Sequence, residues 1–466
     1  MTAPIRRATF TAMFDIAVVG AGVVGCAVAR RLALMGARVV LLEQGPDILS
    51  GASKGNSAIL HTGFDAPAAS LELACMQAGR AEYLEIREHF GLPLLETGAI
   101  VAAWSDDEQA KLPAIAAQAN ANGVTDVALL DRAALLARVP TLSPHVKAGL
   151  LVPGEHLIDP WSAPLAYVLQ AQALGATVHR RTQVTAALFD GAAWQLETTT
   201  GPFRATTLIN AAGLFGDHLE TLALGETSFT IHPRKGQFVV FDKAAAKLLS
   251  TILLPVPLER TKGIVLTPTI FGNLLVGPTA DEQDSRTNAG TDQASLQALI
   301  ARAHALIPAL AHMPVTALYA GIRPATERKE YRLRHEPARH YIGLNGIRST
   351  GLTAALGLAQ HAASLYQTPH TPIATPPWPQ APKLAEHLPR DHHQPGYGEI
   401  ICHCELVTQR EIEAALTGPL PATDLGGLKR RTRATMGRCQ GFYCLAHLAA
   451  LTAGRLDPPL ETPHAP

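Results

Sequence analysis

A glycine-rich turn between an apolar strand and an apolar helix is the strongest constraint on the fold of this chain. Residues 15–19 (D-I-A-V-V) have the composition of a short buried strand, and they lead into G-A-G-V-V-G, with glycines at Gly20, Gly22 and Gly25. In such a turn the first glycine permits the sharp bend, the second lets the backbone approach a pyrophosphate, and the third lets helix and strand pack closely. The pattern predicts a strand, turn and helix that bind a dinucleotide.

The residues that follow complete this unit. Residues 26–36 are apolar with helical composition, residues 38–42 predict a second strand, and that strand ends at Glu43. Glu43 stands 23 residues after Gly20, where a carboxylate can accept hydrogen bonds from an adenosine ribose. A chance glycine turn would lack this complete sequence of strand, helix, strand and acid.

Two later segments favour FAD as the dinucleotide. Residues 207–213 (T-L-I-N-A-A-G) predict a strand that returns to the same sheet and ends in a small-residue turn at Ala212 and Gly213. Residues 340–358 predict a strand, a glycine turn and a helix start, where backbone N–H groups and the helix dipole would face an anionic part of the cofactor. The candidate residues of this turn are Gly346, Ser349, Thr350, Gly351, Leu352 and Thr353. A second dinucleotide fingerprint, as a separate NAD(P) site would need, is not apparent.

Four further motifs are S-K-G-N-S-A-I-L-H-T-G-F at 53–64, P-R-K-G-Q-F at 233–238, Y-A-G-I-R-P-A-T at 319–326 and G-I-R-S-T-G-L-T-A-A-L-G at 346–357. With the strands and turns above, residues 14–366 resemble the glycine oxidase/D-amino-acid oxidase-like superfamily of FAD enzymes. Within it, the four motifs are most similar to those of the FAD-dependent glycerol-3-phosphate dehydrogenase and L-2-hydroxyglutarate oxidase group. The resemblance implies an α/β architecture, in which a Rossmann-like FAD-binding domain is interleaved with an α+β substrate domain.

The resemblance also assigns candidate roles to individual residues. Ser53, Asn56 and Ser57 are expected to bind the cofactor. His61, with Thr62 beside it, is expected near the flavin, where a histidine can accept the hydroxyl proton of a substrate. Arg323 is expected to reach the flavin face, where a guanidinium can hold a carboxylate or phosphate by two parallel N–H bonds. The alternatives are a packed histidine and an arginine engaged in a surface or domain-interface ion pair. Lys235 and Gln237 are further, weaker candidates.

Two departures from the group's pattern keep the substrate open. Glycerol-3-phosphate dehydrogenases of this group tend to place an arginine where this chain has Gly55, with Lys54 beside it. Some quinone-linked enzymes have a histidine where this chain has Phe238. Phosphate and 2-hydroxyacid substrates therefore remain comparable alternatives.

The C-terminal cysteines predict an iron–sulfur site. Cys402 and Cys404 form C-x-C, Cys439 and Cys444 form C-x4-C, and 34 residues separate the pairs. Four thiolates can hold a [2Fe–2S] cluster, although they also suit zinc, whose structural sites usually have tighter pairs on both sides. Residues 401–444, with K-R-R-T-R and R-C-Q-G, resemble the bacterioferritin-associated ferredoxin-like [2Fe–2S] domain, a small helical fold. The cations Lys429, Arg430, Arg431 and Arg433 would either offset the charge of the cluster or form a solvated basic face.

Residues 408–423 and the segment before the cysteines indicate how this module is attached. Thr408 and Glu411 form a capping-box pattern that predicts a helix start, and a second helix is expected after Thr423.

Residues 367–395 contain eight prolines and predict a semi-rigid linker. The expected organisation is an FAD-binding domain at 14–80, 148–225 and 320–366, a substrate domain at 81–147 and 226–319, the linker at 367–395, and a [2Fe–2S] domain at 396–455.

Charge, apolar runs and cysteine content indicate which binding partners and which cellular location to expect. The chain has 39 basic and 39 acidic residues, which gives no support to nucleic-acid binding or to a polybasic membrane anchor. Apolar runs are too short for a transmembrane helix, so at most a peripheral membrane association is expected. The pair Arg6-Arg7 is a weak match to a signal sequence. Cys26 and Cys75 lie in predicted helices as buried thiols, and free thiols favour the cytoplasm.

Together these features predict an FAD-dependent dehydrogenase that oxidises the CH–OH of a small anionic substrate. Its electrons would leave through the [2Fe–2S] cluster to a quinone, an acceptor protein or a partner subunit, since FAD accepts two electrons and releases them singly. Three alternatives remain: oxidation of a CH–NH bond in an amino or imino acid, an electron-transfer or scaffold subunit of a larger dehydrogenase, and an NAD-linked dehydrogenase with a zinc tail.

Overall fold

The computed structural model describes residues 13–257 and 263–460, so Arg6-Arg7 lies outside the described residues. The helices are α1 (Val23–Leu34), α2 (Leu71–Phe90), α3 (Asp106–Ala121), α4 (Arg132–Arg138), α5 (Ser162–Ala173), α6 (Gly216–Leu224), α7 (Gln293–Leu306), α8 (Gly351–Leu365), α9 (Gln409–Thr417), α10 (Leu425–Thr432) and α11 (Leu445–Leu451). Across these residues no helix combines the length and the apolar character needed to cross a membrane.

The strands divide among two large sheets and two small ones. In chain order they are β1 (Met13–Val19), β2 (Val39–Leu42), β3 (Ile59–Leu60), β4 (Leu94–Leu95), β5 (Ala99–Ala103), β6 (Ala128–Asp131), β7 (Ala148–Val152), β8 (His156–Ile158), β9 (Thr177–His179), β10 (Val184–Phe189), β11 (Trp194–Thr198), β12 (Phe203–Asn210), β13 (Ile231–Phe241), β14 (Ile252–Pro255), β15 (Val265–Pro268), β16 (Leu274–Gly277), β17 (Asp281–Glu282), β18 (Val315–Thr326), β19 (Arg332–Glu336), β20 (Tyr341–Asn345), β21 (Ile400–Cys402) and β22 (Val407–Thr408).

The first large sheet contains the predicted dinucleotide unit. Its order is β10-β11-β12-β1-β2-β9, and β20 also pairs with β12 and with β19. Strand β1 is parallel to β2 and β12, and β20 is parallel to β12, so the carboxyl ends of four strands meet at one edge. Both later segments that favoured FAD therefore return to the first sheet, and they place their glycine turns at that edge.

Two glycines let helices α2 and α8 cross at close range beside α1. A Cβ atom at Gly79 would lie 2.1 Å from the carbonyl oxygen of Thr353, and one at Gly357 would lie 2.1 Å from that of Cys75. Either side chain would force the two backbones apart. The helices bury the largest apolar core of the chain, which includes the thiols of Cys26 and Cys75.

The second large sheet forms the other wall of the interior. Its order is β17-β13-β16-β15-β14-β5-β7-β6, with β18 antiparallel to β13 along most of its length. Its core is built around Val239, Phe241, Leu299 and Leu306, where α7 packs on β13. This sheet carries the motifs at 233–238 and 319–326, so it brings Arg323 towards the first sheet.

Sheet membership moves three of the expected domain boundaries. Strand β7 (148–152) and the whole of β18 (315–326) pair in the second sheet, whereas boundaries at 148 and 320 assigned them wholly or partly to the FAD-binding domain. Helix α2 is continuous across the expected boundary at residue 80 and packs on α8. We propose boundaries near residues 90, 153 and 327, because a single strand or helix does not divide between two cores.

The C-terminal residues form a small module with its own core. Ile412, Leu416, Leu428 and Leu448 bury the inner faces of α9, α10 and α11 around Cys402 and Cys444. The Thr408 side chain accepts from the Glu411 N–H, and the Glu411 carboxylate accepts from the Thr408 N–H at 2.9 Å. This reciprocal pair is the capping box that the sequence predicts, and it starts α9.

The proline-rich segment, residues 367–395, packs against the FAD-binding half. The Ile373 N–H donates to the Leu34 carbonyl oxygen, and the Ala381 N–H donates to that of Phe90. Trp378 packs edge-on against Phe90, with ring centroids 4.8 Å apart. The linker is therefore a strap along the FAD-binding half, which fixes the point from which the C-terminal module starts.

Candidate active site and cluster site

A cavity of about 780 Å³ lies between the two large sheets. Its walls come from the turn after β1, from the 52–61 segment, from β18 and from the turn after β20. A second cavity of about 430 Å³ lies along the ends of β1 and β2 and contacts Glu43. The two share lining residues at Gly22, Ala52, Ser53, Ala211 and Gly213. They therefore form one extended channel that passes the N-terminus of α1.

Two of the three glycines of the fingerprint are required by close backbone contacts, and the third lines both cavities. Gly20 has a φ of +103°, and a Cβ there would lie 2.4 Å from the Ala211 carbonyl oxygen. A Cβ at Gly25 would lie 1.8 Å from the Gly20 carbonyl oxygen. Gly22 lines both cavities and is the N-cap of α1. This is the geometry that a pyrophosphate at a helix N-terminus needs.

Glu43 and Ser53 brace the same turn. The Glu43 carboxylate accepts from the N–H groups of Ala21 and Gly45, both at 2.7 Å. Burial raises the pKa of Glu43 despite these hydrogen bonds. The Ser53 hydroxyl accepts from the Val23 N–H at 3.0 Å, in the first turn of α1. Both side chains line the channel next to the turn where a cofactor phosphate or ribose would bind.

The turn after β20 faces the larger cavity. Gly346, Ser349, Gly351 and Leu352 line it, as do Asn56 and Ser57 from the opposite wall. Thr350 and Thr353 use their side chains elsewhere. The Thr350 hydroxyl bonds to Tyr331 and Glu72. The Thr353 hydroxyl accepts from the His61 N–H and donates to the Ile59 carbonyl oxygen. Any contribution of these two threonines to cofactor binding is therefore through the backbone, because their side chains are used to hold neighbouring segments.

Asn345 is a cavity residue that the sequence analysis missed. It is 1% exposed, it lines the larger cavity, and neither its amide nitrogen nor its amide oxygen has a hydrogen-bond partner among the described residues. Buried amides are rarely left unpaired, so this one fits a ligand that supplies both a donor and an acceptor. Its position as the last residue of β20 was the available signal, since ligands of such sheets bind beyond the carboxyl ends of strands.

His61 lines the cavity and is held by a buried carboxylate. Its Nδ1 lies 2.7 Å from Glu155 Oε2, and the other oxygen of Glu155 accepts from the N–H and the hydroxyl of Thr62. Burial acts to raise the pKa of Glu155, but His61 and Thr62 outweigh it and hold the pKa below its usual value. An ionised Glu155 that accepts from Nδ1–H leaves Nε2 of His61 free to take a proton from a molecule in the cavity.

Glu155 was not identified from the sequence, because it lies 94 residues from His61. It occupies the turn between β7 and β8, and the fold alone brings it under the histidine. Thr62 is buried, and its hydroxyl donates to Glu155 at 2.8 Å. The structure thus removes the simple alternative of a histidine that hydrogen-bonds only to backbone.

Two arginines reach the same cavity. The Nη2 of Arg323 donates to the carbonyl oxygens of Thr279 and Lys235, at 2.5 and 3.4 Å, and no described carboxylate forms an ion pair with it. Burial, with help from Arg234, lowers the pKa of Arg323 to about 10. Arg348 lies on the turn after β20 and lines the cavity. Its Nε is buried and has no hydrogen-bond partner among the described residues, and its Nη2 lies 3.8 Å from a carboxylate oxygen of Glu72. This side of the cavity suits an anionic ligand.

Lys235 and Gln237, the weaker candidates of the sequence analysis, do not line the cavity. Lys235 faces Asp292 at 4.0 Å, and Gln237 is fully buried and bonds to Asp281 and Asp292. Gly55 lies against Gly321, and a Cβ there would be 2.9 Å from the Gly321 Cα, so a larger side chain has no room. Phe238 does line the cavity, where it stacks on Tyr319.

The four C-terminal cysteines approach one another as two thiol pairs. Cys404 contacts Cys439, and Cys402 contacts Cys444. The second pair is buried, and the first is partly exposed. Within the described ranges, no three or more His, Cys, Asp or Glu side chains converge as at a single metal ion. Two pairs of thiols fit a two-iron cluster, in which each iron takes two protein sulfurs.

The pKa values of Cys444 and Cys439 shift in opposite directions. Burial and the neighbouring thiol of Cys402 raise the pKa of Cys444 to about 12. The Cys439 sulfur accepts from the N–H groups of Tyr443, Gly441 and Phe442, and its pKa is lowered. A metal centre deprotonates such thiols outright, and hydrogen bonds to sulfur help to set the reduction potential of a cluster.

The basic segment of the module has a different role from both expected ones. Arg431 forms a bidentate ion pair with Asp47, a fully buried residue of the FAD-binding half, and Arg430 lies 3.9 Å from the same carboxylate. Arg433 bonds to Glu405 and lies 4.1 Å over the ring of Phe271. Lys429 has the Cys444 thiol among its electrostatic neighbours. The three arginines neither surround the cluster nor form a solvated face, because they are used to dock and brace the module.

Comparison with known proteins agrees with this architecture. The family model described as FAD dependent oxidoreductase matches residues 15–365, and the chain belongs to that family. A model for the BFD-like [2Fe-2S] binding domain matches residues 400–453. The chain is thus an FAD-dependent oxidoreductase with a C-terminal [2Fe–2S] domain, and the extended channel, the unpaired amide of Asn345 and the paired thiols fit these two cofactors.

The individual relatives share this architecture to different extents. A "Glycerol 3-phosphate dehydrogenase" of Caloramator mitchellensis is 29% identical over 95% of both chains. An "L-2-hydroxyglutarate dehydrogenase, mitochondrial" of Caenorhabditis briggsae is 25% identical over 60% of this chain and 66% of its own. Among solved structures, the FAD-bound, dithionite-reduced L-alpha-glycerophosphate oxidase of Mycoplasma pneumoniae covers 79% of this chain and 98% of its own, at 26% identity and a TM-score of 0.74.

Proposed function

We propose that this protein oxidises the secondary alcohol of glycerol 3-phosphate and passes the electrons through its [2Fe–2S] cluster to a protein acceptor or quinone. Bound FAD supplies the hydride acceptor. The single observation that carries the proposal is the cavity in which His61, backed by Glu155, and the guanidinium of Arg323 face the same space.

His61 is the base for the hydroxyl proton. Its Nδ1 is engaged by Glu155, so the proton is accepted at Nε2, and the buried carboxylate stabilises the imidazolium that results. An amine substrate loses its proton on binding and needs no such base. The histidine and carboxylate pair therefore favours CH–OH over CH–NH oxidation.

Arg323 and Arg348 bind the anionic end of the substrate. Arg323 lacks a described carboxylate partner, and Arg348 keeps a buried Nε without a hydrogen bond. A phosphate dianion can accept from both guanidiniums at once. The relative from Caloramator mitchellensis supports the same substrate, since it matches the cavity-bearing and cluster-bearing parts of this chain together.

The experiment is anaerobic bleaching of the flavin absorbance in the purified holoprotein. We expect glycerol 3-phosphate to bleach it and glycerol to fail, because glycerol lacks the anion. The variant His61→Asn should slow bleaching by about 10²- to 10⁴-fold with the flavin still bound. His145→Asn, an exposed histidine outside the cavity, is the matched control and should bleach at the normal rate. Normal bleaching by His61→Asn would refute the proposed base.

L-2-Hydroxyglutarate is the second candidate substrate. The observation that favours it is Gly55, which packs on Gly321. Glycerol-3-phosphate dehydrogenases of the group tend to have an arginine at the position of Gly55. Bleaching by L-2-hydroxyglutarate and not by glycerol 3-phosphate would move the assignment to this carboxylate substrate. Bleaching by amino acids alone would refute both hydroxy substrates.

We further propose that the protein works in the cytoplasm. The six cysteines are free, and unpaired thiols are usual in reducing compartments. Retention of activity and of two irons per chain in the soluble fraction after cell lysis would support this location. Recovery of the active protein only with membranes would contradict it.

A further inference from the structure

An exposed apolar surface lies directly over the outer pair of cluster thiols. We name it the cysteine-loop patch, formed by Leu406, Phe442, Tyr443 and Leu445, which are 43, 81, 71 and 39% exposed. Phe442 and Tyr443 contact each other edge-on, with ring centroids 5.2 Å apart. Two large aromatic side chains this exposed are typical of a binding surface rather than of ordinary solvated protein.

The patch is built on the backbone that holds the cluster ligand. The N–H groups of Phe442 and Tyr443 donate to the sulfur of Cys439. Cys439 and Cys404 are the partly exposed pair, whereas Cys402 and Cys444 are buried beneath them. The exposed aromatic side chains therefore belong to the loop that holds Cys439, a member of the partly exposed thiol pair.

The other contact surfaces of the module are already occupied. Arg431 is paired with Asp47 on the FAD-binding half, and Arg438 is paired with Asp242 in the second sheet. Gln440 donates to the Thr316 carbonyl oxygen on the same side. The module is therefore docked against both other domains, while the side chains of the cysteine-loop patch remain exposed to solvent.

The charge around the patch indicates the kind of partner. Residues 434–456 contain no Asp or Glu, and their Arg and His side chains are Arg438, His447 and Arg455. Of these, Arg438 is paired with Asp242, and the next residue, Asp457, is paired with Arg181. On the neighbouring segment, His403 is exposed and Glu405 is buried in its ion pair with Arg433. An apolar centre with a weakly basic rim complements a partner surface with an apolar centre and a carboxylate rim.

We propose that the cysteine-loop patch is the docking surface for a one-electron acceptor protein whose redox centre lies under an apolar, acid-rimmed surface. This inference rests on the proposed passage of electrons through the cluster. Each oxidised substrate molecule releases two electrons and two protons, and two acceptor molecules each take one electron from the reduced cluster. Anionic bilayers are bound by groups of several Lys and Arg residues, which this rim lacks.

The test uses the dithionite-reduced holoprotein, freed of excess reductant, and follows its oxidation by stopped-flow absorbance. The probe is cytochrome b5, an acidic haem protein, and cytochrome c, a basic one, is the comparison. Phe442→Ser combined with Tyr443→Ser should reduce the second-order rate with cytochrome b5 by about tenfold or more. Added salt should lower the rate of the unmodified protein, and cytochrome c should react more slowly than cytochrome b5.

Controls separate docking from damage to the cluster and from failure of the proposed substrate. The double variant should keep its iron content, its flavin bleaching and its rate with the small dye dichlorophenolindophenol. Leu129→Ser, an exposed apolar residue on β6 that is 53% exposed, should react with cytochrome b5 like the unmodified protein. Because dithionite supplies the electrons, the patch is tested even if glycerol 3-phosphate is not the substrate.

Three outcomes would overturn the proposal. An unchanged cytochrome b5 rate in the double variant would exclude the patch as the docking surface. Flotation of the unmodified protein with phosphatidylglycerol vesicles, lost in the double variant, would assign the patch to a membrane. Dimers in sedimentation equilibrium that the double variant abolishes would assign it to a second copy of this chain. If the double variant loses iron, His447→Glu replaces it, and the negative charge added at the rim should slow the reaction with cytochrome b5 and speed that with cytochrome c.

Discussion

Arg323 in the cavity and Arg431 in the docked module are both held away from bulk solvent, but their partners differ. Arg431 is 6% exposed and forms a bidentate ion pair with the fully buried Asp47. Arg323 donates to two backbone carbonyls, it has no described carboxylate partner, and burial lowers its pKa to about 10. A buried guanidinium that is paired with a carboxylate of the same chain holds the structure together. One without such a partner can still bind an anionic ligand.

The largest effect is expected where the architectural pair is broken. Asp47→Asn would leave Arg431 buried beside an uncharged amide, while Arg180 and Arg430 lie close by. Loss of one partner of a buried ion pair costs about 3–5 kcal/mol. Urea unfolding followed by cluster absorbance should show this loss, and flavin bleaching by substrate should persist at low temperature. A stability equal to that of the unmodified protein would mean that the docked arrangement does not depend on this pair.

The next effect is on catalysis instead of stability. Arg323→Met should lower kcat/KM for the proposed substrate by about 30- to 1,000-fold, or ~2–4 kcal/mol, because a charged hydrogen bond to the substrate anion is removed. Its effect on the free energy of unfolding should be smaller than that of Asp47→Asn. The matched variant Arg323→Lys, which keeps the charge, should recover part of the activity. A stability loss as large as that of Asp47→Asn, with normal kinetics, would make Arg323 architectural as well.

A smaller effect tests whether Arg348 belongs with Arg323. Inorganic phosphate should compete with the substrate, and Arg348→Met should weaken this inhibition by about tenfold, which is the value of one charged hydrogen bond. Steady-state inhibition constants measure it, with Arg234→Met as the control, since Arg234 is already paired with Glu282 at 2.6 Å. Equal weakening in both variants would show that only the general positive field matters.

The contribution of Glu155 to the free energy of unfolding should depend on pH. The folded-state pKa of Glu155 lies below its usual value of 4.5, so its ionised form stabilises the native state above that pH. This contribution is lost as the pH falls through the lower, folded-state pKa. The stability difference between the unmodified protein and Glu155→Gln should therefore narrow below about pH 4.5. A difference that is constant between pH 7 and pH 3 would mean that Glu155 does not carry the charge that orients His61.

The smallest effect is expected at the exposed docking contact. Arg438 pairs with Asp242, but its side chain is 64% exposed, so solvent screens the pair. Arg438→Gln should leave the unfolding midpoint and the bleaching rate unchanged within error. A large loss in either quantity would show that the module is held by its exposed contacts and not by the buried one at Asp47.

Much of the fold follows from local patterns. The glycines at Gly20 and Gly25 tolerate no side chain because backbone oxygens lie within about 2 Å of where it would be, so the fingerprint itself encodes that turn. The capping box at Thr408 is equally local. The expected boundaries at 148 and 320 differ from the ones proposed here for the opposite reason. Strands β7 and β18 pair with strands distant in the chain, which no local pattern records.

The sequence by itself determined the cofactor-binding units, since spacing and residue type within a few turns specify the phosphate-binding bend and the four thiols. It also determined that His61 and Arg323 are candidates, through motifs that relatives share. Only the tertiary structure decided that Glu155 supports His61, that Asn345 is a buried amide without a described partner, and that the arginines at 430 and 431 dock a domain. These facts depend on contacts across 94 to 384 residues of chain, where the identity of the partner, and not the residue itself, sets the role.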